Sequence, residues 1–175
     1  TPQAPLASGP STADTPAANR DRAVVLAETA RVRIETPRLA GSINLTGARI
    51  DDLVLGGTDP RLTHTETIDP NSPPVRLFSP GGAPGAYFGQ FGWTGQGGLV
   101  VPDGNTVWRA SGNRLTPATP VTLSWDNGQG QVFQIVLSLD ANYMFQADQR
   151  VINNGSEAAS VLPWVRVRRD VTPQV

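Results

Sequence analysis

Residues 121–140, VTLSWDNGQGQVFQIVLSLD, contain the pattern that decides the fold. Asp126, Asn127 and Gly128 tolerate the positive φ angles that a tight hairpin turn requires. After the turn, every second residue is a large apolar one, at Phe133, Ile135, Leu137 and Leu139. Because side chains alternate between the two faces of a strand, these four share one face. The stretch therefore predicts an antiparallel β-hairpin with one buried face.

The same period of two continues on both sides of the hairpin. Downstream, residues 143–151 and 161–168 each alternate apolar and polar side chains, with a turn at residues 153–156 between them. Upstream, residues 31–35 alternate around Val32 and Ile34, and residues 42–55 predict two strands broken at Gly47. Further short strands are expected at residues 75–78, 86–93 and 106–110, with a loop over residues 56–74.

Half-polar strands of this kind form antiparallel sheets that have one solvated face. The hairpin and the strand after it are expected to share one buried face, made of Phe133, Ile135, Leu137, Tyr143, Phe145 and Val151. In the last strand, Val161, Val165 and Val167 are expected opposite Arg166 and Arg168. The predicted fold class is all-β, mainly antiparallel, a sandwich or supersandwich with few or no long helices.

Composition excludes several kinds of protein. The chain has 175 residues, of which 38% are hydrophobic and 17% charged, enough for one domain with a core. A formal net charge of −1 provides no overall field that would attract nucleic acid. Cysteine is absent, which excludes a disulfide framework, a thiolate metal site and a cysteine nucleophile.

The first 29 residues differ in composition from the rest. They are rich in proline and alanine and contain no aromatic residue, so they are expected to form a flexible linker, with residues 1–22 disordered. Residues 23–30 are more apolar and are compatible with either a short helix or a first strand. The expected β-domain then covers residues 30–175.

A search for chemistry predicts no catalytic, cofactor-binding or metal-binding residue. His64 is the only histidine and lies in a polar loop, so it lacks a partner for a two-histidine metal site. Asp51 and Asp52 are adjacent, which on a regular strand places them on opposite faces and not as an acid/base pair. Asp126 and Asp140 are expected to be turn residues. The GQGG stretch at residues 95–98 lacks the lysine and hydroxyl residue of a phosphate loop.

Three further features have both a structural and a functional interpretation. Trp93, Trp108, Trp125 and Trp164, with Tyr87, either fill the core or line a cleft for a sugar or an extended peptide. The cluster of Arg166, Arg168 and Arg169 is either a solvated strand face or a surface for anionic lipid headgroups. Asn44 and Asn154 begin formal glycosylation sequons, which are common by chance. For the tryptophans and the arginines, the structural interpretation is favoured.

Three stretches occur in an order that is specific when they are taken together. They are IETPRLAGSINLTGARIDDLVL at residues 34–55, FGWTG at residues 91–95, and VTLSWDNGQGQVFQIVLSLDANYMFQADQRVINNG at residues 121–155. In this order and at similar spacings, they resemble the large periplasmic domain of the YidC family of membrane protein insertases, in its alphaproteobacterial form. The resemblance covers roughly residues 30–170.

The resemblance implies a β supersandwich of the galactose-mutarotase type, located in the periplasm and tethered to the bacterial inner membrane. It implies work with the Sec translocon and with nascent membrane proteins. It also implies that a transmembrane helix precedes residues 1–29 and that the domain, residues 30–175, is cut short at its C terminus. The family's functional arginine belongs to the membrane core, so no arginine of this chain takes that role.

The sequence therefore indicates a non-catalytic periplasmic domain that acts as a scaffold or docking surface. Two alternatives stay open: a carbohydrate-binding, mutarotase-like module, and a peptide-binding module that uses a sheet edge or a cleft. Mutarotation needs a positioned acid and base, and the single histidine argues against catalysis but not against sugar binding. The sequence does not identify the surface that a partner contacts.

Overall fold

The computed structural model describes residues 20–170; residues 1–19 and 171–175 lie outside that range. The described chain contains one short helix and eleven strands. In order, they are α1 (Arg22–Ala27), β1 (Arg31–Glu35), β2 (Ala40–Asn44), β3 (Arg49–Val54), β4 (Arg76–Phe78), β5 (Tyr87–Gly95), β6 (Arg109–Ala110), β7 (Arg114–Leu115), β8 (Val121–Asp126), β9 (Gln131–Leu139), β10 (Phe145–Asn153) and β11 (Val161–Arg169). The predicted all-β class without long helices is confirmed.

The strands form two sheets. The larger sheet has the strand order β11-β5-β3-β2-β1-β7, with β4 paired to β3, and the smaller has the order β10-β9-β8-β6. Among the described strands, β1 and β7 form the one parallel pair, so the architecture is mainly antiparallel as predicted. A single turn of 3₁₀-helix, Pro60–Leu62, interrupts the long loop between β3 and β4.

The predicted hairpin forms the centre of the smaller sheet. Strands β8 and β9 pair from Val121↔Leu137 to Asp126↔Val132. The turn contains Gly128 and Gly130 at φ angles of 72° and 100°, a region of backbone conformation that favours glycine. The Asp126 carboxylate accepts a hydrogen bond from the Gly128 amide at 2.8 Å, which confirms Asp126 as a turn residue.

The core lies between the two sheets. Its fully buried side chains come from both sides, with Val32, Ile34, Ile43 and Leu53 from the larger sheet and Leu123, Phe133, Ile135 and Leu137 from the smaller one. The rings of Trp93 and Phe133 meet edge to face across the interface, with centroids 5.2 Å apart. Along β9, from Gln131 to Leu139, buried and half-buried residues alternate without exception.

The expected burial of β10 and β11 is only partly correct. Phe145 and Val151 are half-buried against the core, but Tyr143 precedes β10 and is 42% exposed. Val165 and Val167 are 58% and 61% exposed. The reason is topological: β10 and β11 are the edge strands of their sheets, and no other described element covers these side chains.

The remaining strand predictions agree with the structure except in one place. The expected break at Gly47 separates β2 from β3, with Gly47 and Ala48 at φ angles of 81° and 51°. Strand β7 was not predicted because two residues are too few to show a period. Residues 23–30, which the sequence made compatible with either a helix or a strand, contribute most of α1. The division into a linker and a domain at residues 29 and 30 stays a prediction, and most of the linker lies outside the described residues.

Candidate interaction surfaces

His64 has a role in the backbone of its loop and an exposed side chain. Its amide donates to the Leu55 carbonyl at 2.8 Å, and its own carbonyl accepts from the Val75 amide at 2.7 Å. Nearby, the Asp59 carboxylate caps the 3₁₀ turn by accepting from the Arg61 amide. Hydrogen bonds from the Arg61 side chain hold the pKa of Asp59 below its ordinary value. Asp59 is therefore a capping residue of the 3₁₀ turn, paired with Arg61.

Asp51 and Asp52 do not point to opposite faces, which corrects the sequence-based expectation. The register between β2 and β3 shifts after Ser42, so that Ser42 pairs with Asp52 while Ile43 pairs with Ile50. This bulge leaves Asp51 without a cross-strand partner, and it directs both carboxylates into one polar network.

The network joins the two carboxylates to two arginines and a serine. Arg31 donates from Nη1 and Nη2 to the Asp51 carboxylate oxygens at 2.6 and 3.2 Å, and from Nη1 to Ser42 Oγ at 3.3 Å. Ser42 in turn donates to Asp52 Oδ2 at 2.7 Å, and Asp52 forms an ion pair with Arg22. Because each carboxylate has a guanidinium partner, neither is available as a general acid or base.

Helix α1 is attached to the sheet through the same network. Arg22 reaches Asp52 from the first residue of the helix, and Arg31 Nε donates to the carbonyl of Leu26 near its end at 2.9 Å. Val25, the one buried residue of the helix, adds an apolar contact. The helix has six residues, too few to be stable alone in water, so these contacts hold it in place.

The tryptophans do not line a common cleft. Trp93 and Trp108 are buried and stack with centroids 5.8 Å apart, and Trp125 packs beside Phe133. Trp164 lies instead on the outer face of the larger sheet, over Gly92, where a Cβ atom would fall 2.2 Å from the indole ring. The structural interpretation is correct for the first three, and Gly92 is explained as the space for Trp164.

The three C-terminal arginines divide between the two faces of β11. Arg166 donates to Gln90 Oε1 at 2.9 Å and lies over the Trp164 ring, and Arg168 donates to Asp170 at 2.6 Å on the same side. Arg169 lies on the opposite side, over the Tyr87 ring. They are therefore not one continuous basic surface.

The two sequon asparagines occupy different environments. Asn44 is 7% exposed, and its side-chain oxygen accepts from the Thr46 amide at 2.9 Å, so it is a structural residue at the end of β2. Asn154 is exposed in the turn between β10 and β11, where its amide donates to the Gly130 carbonyl at 2.7 Å.

A polar cleft of about 760 Å³ opens at the loop end of the sandwich. The GQGG loop at residues 95–98, the hairpin turn and residues 155–160 form its walls. Gln131, which lines the cleft, is held by two neighbouring amides, since it accepts from Asn127 at 2.9 Å and donates to Asn153 at 2.9 Å. This polar cleft and the exposed apolar side chains of β10 and β11 offer surfaces for contact with a partner.

The described residues contain no group of three or more histidine, cysteine or acidic side chains placed to hold a metal ion. Over the same residues, no helix is long and apolar enough to cross a membrane.

This arrangement defines a two-sheet β-domain in which the candidate carboxylates stabilise the fold. Residues 31–175 match the family model described as the YidC periplasmic domain, and the chain belongs to that family. The resemblance to this family that the sequence shows is therefore confirmed.

Full-length relatives share this sequence over most of the chain. The protein named membrane protein insertase YidC from Acidiphilium cryptum is 47% identical over 146 residues, which is 82% of this chain and 23% of the relative. Proteins of the same name from Mesorhizobium japonicum and Bradyrhizobium diazoefficiens are 47% and 41% identical, over 90% and 98% of this chain. The chain spans about a quarter of the length of these relatives.

Proposed function

We propose that this chain is a non-catalytic scaffold or docking domain of a bacterial membrane protein insertase. The observation that carries the proposal is the family match over residues 31–175. The full-length protein is tethered to the inner membrane, and this domain lies on its periplasmic side. We expect its partners to be nascent membrane proteins and components of the Sec translocon.

The chemistry of the described residues supports a role by contact. The two buried or half-buried aspartates of β3 are each paired with an arginine, Asp51 with Arg31 and Asp52 with Arg22. A general acid or base needs a carboxyl group that can exchange its proton with a substrate, and a tight ion pair opposes that exchange. Exposed apolar side chains, among them Leu162 and Ile152, are instead suited to packing against another surface.

Deletion of the domain from a full-length insertase tests whether the domain serves partner binding more than insertion itself. In the Acidiphilium cryptum relative, the segment that matches residues 31–170 is replaced by a short flexible linker, and the protein is expressed in a strain depleted of its own insertase. We expect insertion of a test membrane protein to be impaired less than the recovery of translocon subunits in a pull-down. A chimera that carries residues 31–170 of this chain is the control and is expected to restore that recovery. Loss of insertion with unchanged recovery would contradict the proposal.

The amide-lined cleft supports a second candidate function, the binding of a neutral carbohydrate. Gln96, Gln129 and Gln131 lie along it, and paired amide donors and acceptors suit the hydroxyl groups of a sugar. Titration of the 175-residue chain with a panel of neutral oligosaccharides tests this candidate. Saturable binding that Gln129→Ala weakens would favour it, and no binding by any member of the panel would exclude the cleft as a sugar site for that panel.

A further inference from the structure

A second and smaller cavity, of about 300 Å³, lies where β4, β5 and the end of β11 meet. Its lining includes Arg76, Phe78, Ser79, Tyr87 and Arg169, and it contains no acidic residue. The lining elements are fixed by the backbone. Ser79 and Tyr87 exchange two hydrogen bonds of 2.9 Å each, and β11 pairs with β5 up to Arg169↔Tyr87. The cavity is thus part of the sheet architecture rather than a gap between mobile loops.

The two guanidinium groups of this cavity have no carboxylate partner among the described residues. Arg169 is held over the Tyr87 ring, with its Cζ atom 5.6 Å from the ring centroid, and Arg76 is exposed at the rim. The nearest acidic residue in sequence, Asp170, is bound by Arg168 on the other side of β11. Two unneutralised positive charges in one concave site attract an anion, since the concave wall limits screening by water.

A buried hydroxyl group in the cavity wall also lacks a partner. Ser79 is 2% exposed, and its Oγ makes no hydrogen bond in the described structure. Buried hydroxyl groups are nearly always hydrogen-bonded, because leaving one unpaired costs about 1–3 kcal/mol. Because this Oγ atom is itself shielded from water, a ligand in the cavity does not reach it, and an anion would be held by the two arginines.

The aromatic side of the cavity adds a surface for the organic part of a ligand. The Phe78 and Tyr87 rings meet edge to face with centroids 5.3 Å apart, and Tyr87 remains 37% exposed. A rigid aromatic wall next to two guanidinium groups suits a small organic phosphate better than a bare halide, because it contacts carbon atoms while the arginines bind oxygen.

We propose that the cavity formed by Arg76, Phe78, Tyr87 and Arg169 binds a phosphate group. Guanidinium groups bind phosphate through paired N–H donors, and phosphate offers enough acceptor oxygens for both arginines. Two sources share this chemistry: the headgroup of an anionic lipid and a free phosphate. The site does not depend on the proposed scaffold function, although a lipid source would orient the domain on the membrane surface.

The direct test is calorimetric titration of the 175-residue chain with inorganic phosphate, against sodium chloride at the same ionic strength. We expect saturable binding to the parent, and affinity weakened by about tenfold or more in Arg169→Gln and in Arg76→Gln, since each removes a charge-assisted contact. Arg109→Gln, an exposed arginine on the smaller sheet, is the matched control and is expected to bind as the parent does.

Vesicle sedimentation then identifies the source. Binding to phosphatidylglycerol vesicles but not to phosphatidylcholine vesicles, lost in Arg169→Gln and displaced by inorganic phosphate, would support a lipid headgroup. Binding of inorganic phosphate without sedimentation would support a free phosphate. No saturable phosphate binding by the folded parent would overturn the proposal. Equal losses in Arg109→Gln and Arg169→Gln would also overturn it.

Discussion

The Arg31 guanidinium holds the Asp51 carboxylate through two hydrogen bonds, at 2.6 and 3.2 Å, in the outer layer of the larger sheet. The carboxylate side chain is 2% exposed and that of Arg31 is 11% exposed, so water screens this pair little. The bulge between β2 and β3 creates the contact, because it leaves Asp51 unpaired in the ladder. A functional candidate in the sequence is thus a structural ion pair in the molecule.

Removal of the Asp51 charge is expected to destabilise the fold severely. Asp51→Asn leaves the Arg31 guanidinium buried without its counterion, which costs about 3–5 kcal/mol. Asp148→Asn is the control, because the Asp148–Arg150 pair is exposed and contributes at most about 1 kcal/mol. Urea unfolding followed by circular dichroism gives both values. Similar unfolding free energies for the two variants would contradict the assigned burial.

Gly41 is expected to tolerate no side chain. A Cβ atom at this position would lie 1.9 Å from the Asp52 carbonyl oxygen, so Gly41→Ala forces β2 away from β3 and disturbs the polar network below α1. We expect a loss of about 3 kcal/mol or more. Gly89→Ala provides the comparison, since a Cβ atom there meets no other atom within 4 Å. Thermal unfolding of both variants decides the matter, and a Gly41→Ala protein as stable as the parent would be the contrary result.

The two faces of β9 are expected to respond differently to truncation. Leu137 is 1% exposed in the core, so Leu137→Ala is expected to cost about 2–5 kcal/mol. Gln134 lies on the other face with only a long contact of 3.4 Å to Ser124, and Gln134→Ala is expected to change stability by about 0.5 kcal/mol or less. Chemical denaturation measures both, and equal losses would mean that the assignment of faces is wrong.

Local pattern was enough to predict the parts of the fold that depend on neighbouring residues. Strands β1, β8 and β9 follow from alternation, and the hairpin turn follows from Asp126 and the glycines after it. The burial of β10 and β11 could not be predicted in this way, because alternation shows which side chains share a face but not whether another layer covers that face. Val165 and Val167 have the pattern of core residues and lie exposed on an edge strand.

The polar network was missed for a related reason. A bulge changes the period of a strand by one residue, and the regular rule then assigns Asp51 and Asp52 to opposite faces. The signal available in the sequence was the pair of aspartates inside an otherwise apolar strand, with Arg31 on the neighbouring polar face. The contacts that Arg22, Arg31 and Ser42 make with the two aspartates depend on the tertiary structure, which a local pattern does not show. The cavity proposed to bind phosphate likewise joins residues 76–87 to residue 169, which no local pattern connects.

The exposed ion pair of Arg20 and Glu28 is expected to stabilise the folded state less as the pH is lowered. Hydrogen bonding from Arg20 lowers the pKa of Glu28 below its ordinary value. A carboxyl group whose pKa is lowered in the folded state stabilises it above the unfolded pKa, and that contribution is lost as the pH falls through the folded pKa. In an NMR titration, Arg20→Gln is expected to raise the pKa of Glu28 while leaving that of Asp59 unchanged. An unaltered Glu28 titration would show that the pair does not form in solution.

Substitution of the residues that most resemble catalytic groups is expected to leave insertase function intact. His64 has an exposed side chain, and Asp126 is bound within its own turn, so neither has a second reactive group beside it. In a full-length insertase that carries this domain, His64→Ala is expected to support growth and insertion at close to parental levels in a depleted strain. Asp126→Asn preserves the side-chain oxygen that accepts from Gly128, and it is expected to behave likewise. Complete loss of insertion by a folded His64→Ala protein at normal abundance would contradict the scaffold proposal and indicate an active site in this domain.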